Sequence, residues 1–141
     1  MLAFLTGRVM PVTYSIDVAT KLMRVTCVSP MTFAEVMDHF RALKQDPACV
    51  GQLDGFADLT QADLLLESKQ LGAVTAELAA LREKFQFRVV AIVATRDAVF
   101  GTVRMLEVMV SRYLRAIRVF RSSSEAEAWL AATRAQAGPV P

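Results

Sequence analysis

The readable pattern begins with two short apolar–polar alternations, residues 12–17 and 22–28, joined by Val18-Ala19-Thr20-Lys21. Period-two alternation around a short polar connection predicts a β-hairpin. Ser29-Pro30 is expected to end the second strand, because proline removes a ladder donor. Thr32-Phe33-Ala34-Glu35 has the spacing of a capping box, in which hydroxyl and carboxylate each serve an orphan backbone donor. The helix it starts places Phe33, Val36, Met37, Phe40 and Leu43 on one face, with His39 at the edge of that face, and is expected to end near Asp46-Pro47.

A third strand is predicted over residues 53–59. The helix after it opens at Glu67-Ser68-Lys69-Gln70-Leu71-Gly72 and carries a stripe at Leu71, Val74, Leu78, Leu81 and Phe85, three or four residues apart. Residues 87–95 form a near-continuous apolar run, which suits a strand covered on both faces. Asp97 can cap a helix over residues 98–115, and residues 116–121 form a last strand. Ser122-Ser123-Ser124-Glu125-Ala126-Glu127 contains two overlapping capping boxes, leading into a final helix with Ala126, Trp129, Leu130 and Thr133 on one side. The order ββαβαβαβα predicts an α/β fold: an N-terminal hairpin, then β-α repeats, giving a mixed, mostly parallel five-stranded sheet with about four helices. A single domain over residues 12–135 is expected, between a flexible extension at 1–11, with Met10 as an alternative start, and a flexible tail at 136–141.

Composition adds one question. Of the 141 residues, 54% are hydrophobic, a high share for a chain with no apolar run near the roughly 18 residues needed to span a bilayer. The excess must fill a core, line a pocket or face a partner. The N-terminus lacks the basic start of a secretory signal. Cys27 and Cys49 have neither metal-ligand spacing nor a disulfide framework, which points to reduced thiols and a cytoplasmic compartment. The single His39 excludes multi-histidine metal sites. No cofactor or metal is expected.

The net charge of +2 is uneven, since residues 82–121 carry nine basic residues against three acidic ones. A nucleic-acid reading would use Arg112, Arg115, Arg118 and Arg121, but these are spread over helix and strand without interleaved exposed aromatics, so a solvated or partner-facing surface is expected instead.

The residues Tyr14-Ser15-Ile16-Asp17, Asp46-Pro47, Ala57-Asp58-Leu59-Thr60, Phe100-Gly101-Thr102-Val103-Arg104-Met105, Val119-Phe120-Arg121 and Glu127-Ala128-Trp129-Leu130, in this order and spacing, resemble the STAS domain. This is the fold of sulphate transporters and anti-sigma-factor antagonists, and the resemblance is nearest to the stand-alone bacterial SpoIIAA-like proteins, over residues 12–133. In the antagonists the helix after the third strand begins Asp-Ser-Ser-Gly-Leu-Gly, and its first serine is phosphorylated by a partner kinase. Glu67, Ser68, Leu71 and Gly72 are similar to that motif, while Lys69 and Gln70 depart from it. The resemblance implies a non-catalytic, regulatory, protein-binding domain with a vestigial phospho-switch. A small-molecule module for a nucleotide or lipid is the alternative.

Ser68 is therefore a candidate phosphoacceptor or helix cap; a phosphate there would add about −1.5 to −2 charge at a helix N-terminus that favours anions. Asp58, Thr60, Glu67, Lys69 and Gly72 are candidate partner contacts around it. Asp58 and Asp63 read as a strand end and a turn rather than as a catalytic pair, since no base, lysine or phosphate loop accompanies them. The helix over 98–115 is apolar on two sides: Val99, Val103, Leu106, Val110 and Tyr113 suit the sheet, while Met105, Val108 and Met109 point elsewhere beside Gly101 and Arg112. That second stripe is a candidate homodimer interface, methionine being suited to adaptable contacts. The small-molecule alternative requires a cleft lined by Phe56, Leu64, Leu65 or Phe100.

Overall fold

The computed structural model describes residues 11–141; the expected extension and alternative start lie almost wholly outside the described residues. Five strands, β1 (Val12–Asp17), β2 (Leu22–Thr32), β3 (Gly51–Leu65), β4 (Phe85–Val93) and β5 (Ala116–Phe120), form one sheet in the order β1-β2-β3-β4-β5. Only the β1–β2 pair is antiparallel. The crossovers are α1 (Phe33–Gln45), α2 (Ser68–Leu81) and α3 (Asp97–Val110), the last followed by a 3-10 turn at Ser111–Tyr113; α4 (Ser123–Ala137) closes the chain.

Alternation along the strands divides the core. Cys27, Ala57, Leu59, Ile92 and Val119 face one way and pack with Val36, Val74, Val99 and Val103 of α1–α3. Phe56, Val89, Ala91, Val93 and Phe120 face the other way and pack against Ala126 and Leu130 of α4. Three helices thus cover one face and a single helix part of the other. The capping box at Thr32 is complete, with Glu35 N donating to Thr32 Oγ1 and Thr32 N to Glu35 Oε1. At the other end of α1, the Lys84 ammonium donates to the carbonyls of Leu43, Lys44 and Asp46 at 2.8, 2.7 and 2.6 Å, satisfying orphan acceptors and the negative end of the helix dipole.

Several boundaries differ from expectation, for local reasons. β2 does not stop at Ser29-Pro30 but runs to Thr32, with Ser29 at φ +64°. β3 extends to Leu65, so that Asp63 lies in a strand opposite Pro30 instead of a turn. The pairing slips by one residue between Asp58 and Gln61, and the Asp58 carboxylate spans that bulge by accepting from Thr60 N at 2.9 Å and Thr60 Oγ1 at 2.7 Å. Helix α3 ends at Val110, short of Arg115, and its cap is Arg96; Asp97 is the first helical residue and pairs with Arg121 at 2.7 Å. Ser122 does cap α4, accepting from Glu125 N.

A second bulge organises the α4 face. Leu53 pairs with Phe87 and Gly55 with Val90, so Asp54 stands opposite both Arg88 and Val89. Asp54 is fully buried. Its Oδ1 accepts from Arg88 Nε at 2.9 Å and Val89 N at 3.1 Å, and its Oδ2 from Arg88 Nη2 and Arg134 Nε at 2.7 Å each. Arg134 also donates to the Thr20 carbonyl, and Arg88 to Gly138 O at 2.8 Å. One carboxylate therefore ties together β3, β4, the hairpin turn and the end of α4. Burial alone would push its pKa up, but hydrogen bonds from Arg88 and Arg134, the charge of Arg88 and the Val89 amide hold it below the ordinary carboxylate range.

Removing the carboxylate strands two guanidiniums, so Asp54→Ala is expected to cost about 3–5 kcal/mol by denaturant unfolding. Because the folded pKa lies below the unfolded one, the stability Asp54 contributes is complete above about pH 4 and drains as the pH falls further. An acid-unfolding profile that Asp54→Asn leaves unchanged would contradict this.

Candidate functional site

The described residues do not fill the centre of the α1–α3 face. The positions of β3 that face these helices include Gly55 and Ala57, while the large Phe56 between them turns to α4. A Cβ at Gly55 would meet Val90 Cγ2 at 3.4 Å and the Phe87 ring at 3.5 Å, so the floor of the space is set by those two side chains. Overhead, α2 leans on α1 and α3 rather than on the strands. The result is a cavity of about 210 Å³ whose walls include Val25 and Cys27 of β2, Phe40 of α1, Leu78 of α2, and Ile92 and Leu106 from the far side. Its size exceeds the ~150 Å³ at which an apolar cavity stays dry and takes a benzene-sized guest.

His39 and Glu107 are the titratable side chains on the wall besides Cys27, and none of the three offers a free charge. The Glu107 carboxylate is engaged by Val119 N at 3.1 Å and by Arg104 Nη1 at 3.2 Å. The His39 ring packs edge-on to Tyr14 at 5.6 Å, and burial pushes its pKa down to about 4, so it is neutral at pH 7. Burial, assisted by the charge of Asp58, pushes the Cys27 thiol up to about 11. The site is thus an almost wholly apolar cavity with no free charge, suited to holding a molecule and, among the described residues, lacking an activated nucleophile or base. Among the described residues no group of three or more His, Cys, Asp or Glu is placed to hold a metal, and no helix is long and apolar enough to cross a membrane.

The candidates from the sequence fall in three places. Ser68, Glu67, Lys69 and Gly72 lie exposed at the start of α2. The cap position there is Glu67, with Ser68 the first helical residue; Glu67 N donates to Gln70 Oε1 at 2.8 Å, so Gln70, which departs from the antagonist motif, serves the helix start. Asp58 and Thr60 sit at the β3 bulge, and the strand runs on from Asp58 for roughly 23 Å, at 3.3 Å per residue, to its end at Leu65 before the helix start. The structure does not bring these two groups together. Gly101, Met105, Val108, Met109 and Arg112 are all exposed, the three apolar ones at 47%, 71% and 37%. Of the four residues expected to line a cleft, Phe56 and Leu64 border the cavity, whereas Leu65 is turned to solvent and Phe100 lies under Arg121 outside it. Gly55, Ala57 and His39 were not anticipated as wall residues; the signal available was two small residues alternating in an otherwise bulky strand.

No family model matches the chain, and no curated protein does. A solved structure does match: an uncharacterized protein of the DUF3478 family with a SpoIIAA-like fold, from Shewanella loihica PV-4. It superposes with a TM-score of 0.56 at 15% sequence identity, over 84% of this chain and 93% of that one. The chain has the SpoIIAA-like fold that its residue pattern resembles.

With a folded pKa of about 4 against 6.5 unfolded, His39 binds fewer protons in the native state between those values. Stability is therefore expected to fall as the pH drops from about 6.5 to 4, and His39→Phe is expected to flatten that part of the profile. An imidazole seen by NMR to titrate near 6.5 in the folded protein would contradict the assignment.

Proposed function

We propose that this chain is a non-catalytic STAS-like binding domain that holds a small apolar molecule between its sheet and helices α1–α3. The observation that supports this is the cavity over Gly55 and Ala57, large enough for a guest yet walled by side chains that offer no free charge. Such a wall favours an alkyl or other hydrocarbon group and disfavours a nucleotide, whose phosphates and base edges would be buried without partners. At roughly 0.8 kcal/mol per buried methylene, a chain of several carbons would gain useful affinity from burial alone.

A second reading, contact with another protein or a second copy through α3, is favoured by the exposure of Met105, Val108 and Met109. A regulatory role, with or without modification of Ser68, belongs to this reading.

Filling the cavity separates its role from its stability. Ala57→Leu is expected to abolish binding of decanol in calorimetry while leaving thermal stability equal or higher, since the added methylenes enter empty apolar space. Destabilisation by about 1–3 kcal/mol would instead mark overpacking and a cavity closed in solution. For the α3 reading, Met105→Glu is expected to lower the apparent mass in light scattering at high concentration without changing the circular dichroism; a monomeric unmodified protein would rule out self-association.

A further inference from the structure

Beside the cavity lies a smaller space of about 20 Å³ between the C-terminal end of α2 and the 3-10 turn after α3. The two share Leu78, Phe87, Val110 and Leu114 as walls. The rim of the smaller space differs in chemistry, because it includes Arg82 and Tyr113. The Arg82 guanidinium lies 5.5 Å from the centroid of the Tyr113 ring and the Arg112 guanidinium 4.9 Å from the same centroid. Arg112 Nη2 also donates to the Tyr113 hydroxyl at 2.8 Å.

Two like charges gathered on one ring repel each other. Several other arginines meet acids, Arg88 pairing with Asp54, Arg96 with Asp63 and Arg121 with Asp97, while Arg118 stacks on Phe120. Among the described residues no carboxylate lies within 4.0 Å of Arg82 or Arg112, and Glu107 on α3 is already engaged by Val119 and Arg104. Beside the apolar cavity, across the four shared wall residues, thus stand a phenol and two cations with no carboxylate partner.

We infer that the ligand is a single-chain amphiphile with an anionic head, a carboxylate or a phosphate, whose alkyl tail fills the cavity and whose head meets Arg82, Arg112 and the Tyr113 hydroxyl. This rests on the apolar-ligand reading and narrows it. A planar guanidinium suits either head by paired hydrogen bonds. Both arginines are exposed, so their attraction is modest and screened by salt.

The test is calorimetric titration of the whole chain with decanoate, decyl phosphate and decanol, each below its aggregation limit. At low ionic strength at least one of the anions is expected to bind about five- to tenfold more tightly than decanol. That advantage is expected to vanish near 1 M salt and in an Arg82→Ala/Arg112→Ala double variant that still binds decanol as before. The anion retaining the advantage identifies the head. Equal binding of all three overturns the headgroup assignment and leaves the apolar cavity standing, and a double variant that loses decanol as well overturns it too. Failure of all three to bind removes both.

Discussion

A single buried carboxylate holds the architecture to its register. Asp54 lies in the middle strand with no access to water, and an isolated charge there would be intolerable. It is accommodated because β4 bulges opposite it and delivers Arg88 and the Val89 amide together, while α4 reaches across with Arg134. The requirement runs both ways. The bulge needs an acceptor for its extra amide, and each arginine needs an anion. Since Arg134 also holds the hairpin turn and Arg88 the residue after α4, the network fixes how the last helix and the first two strands meet the central pair.

That anchoring has a consequence on the opposite face. With α4 and the bulge fixing β3 against β4, the small residues Gly55 and Ala57 are committed to the side covered by α1–α3. Helix α2 is supported there by its neighbouring helices, so none of the described residues closes the space above these two. The polar network and the apolar cavity are therefore two sides of one strand: Asp54 and Phe56 face α4, and Gly55 and Ala57 face the cavity. The hydrophobic excess of the sequence goes into the wall of that space and into the outer stripe of α3.

The element order, the hairpin, both Ser/Thr caps and the outward-facing stripe of α3 were legible because each depends on local periodicity or capping chemistry. Boundaries failed where a nonlocal pairing overrode a local signal. Ser29-Pro30 reads as a strand end, yet β2 runs on because the far half of β3 supplies a partner. Asp63 reads as a turn residue, yet it is held in the strand opposite Pro30 and pairs with Arg96. The cap of α2 fell one residue early because Gln70 serves the Glu67 amide. Asp54 and Arg88 were visible as two opposite charges inside two apolar strands, but their pairing needs the register, which no single strand encodes. The cavity was least legible, since empty space depends on where α2 rests and not on any residue that marks it.

The account stands on that cavity accepting an apolar guest, and methyl-resolved NMR tests it most directly. On titration with decanol, saturable shifts are predicted for the methyl groups of Val25, Leu78, Val90, Ile92 and Leu106, with Met105, Val108 and Met109 unmoved. Shifts confined to the exposed methionines and Val108, or no saturable shift at all, would contradict the account.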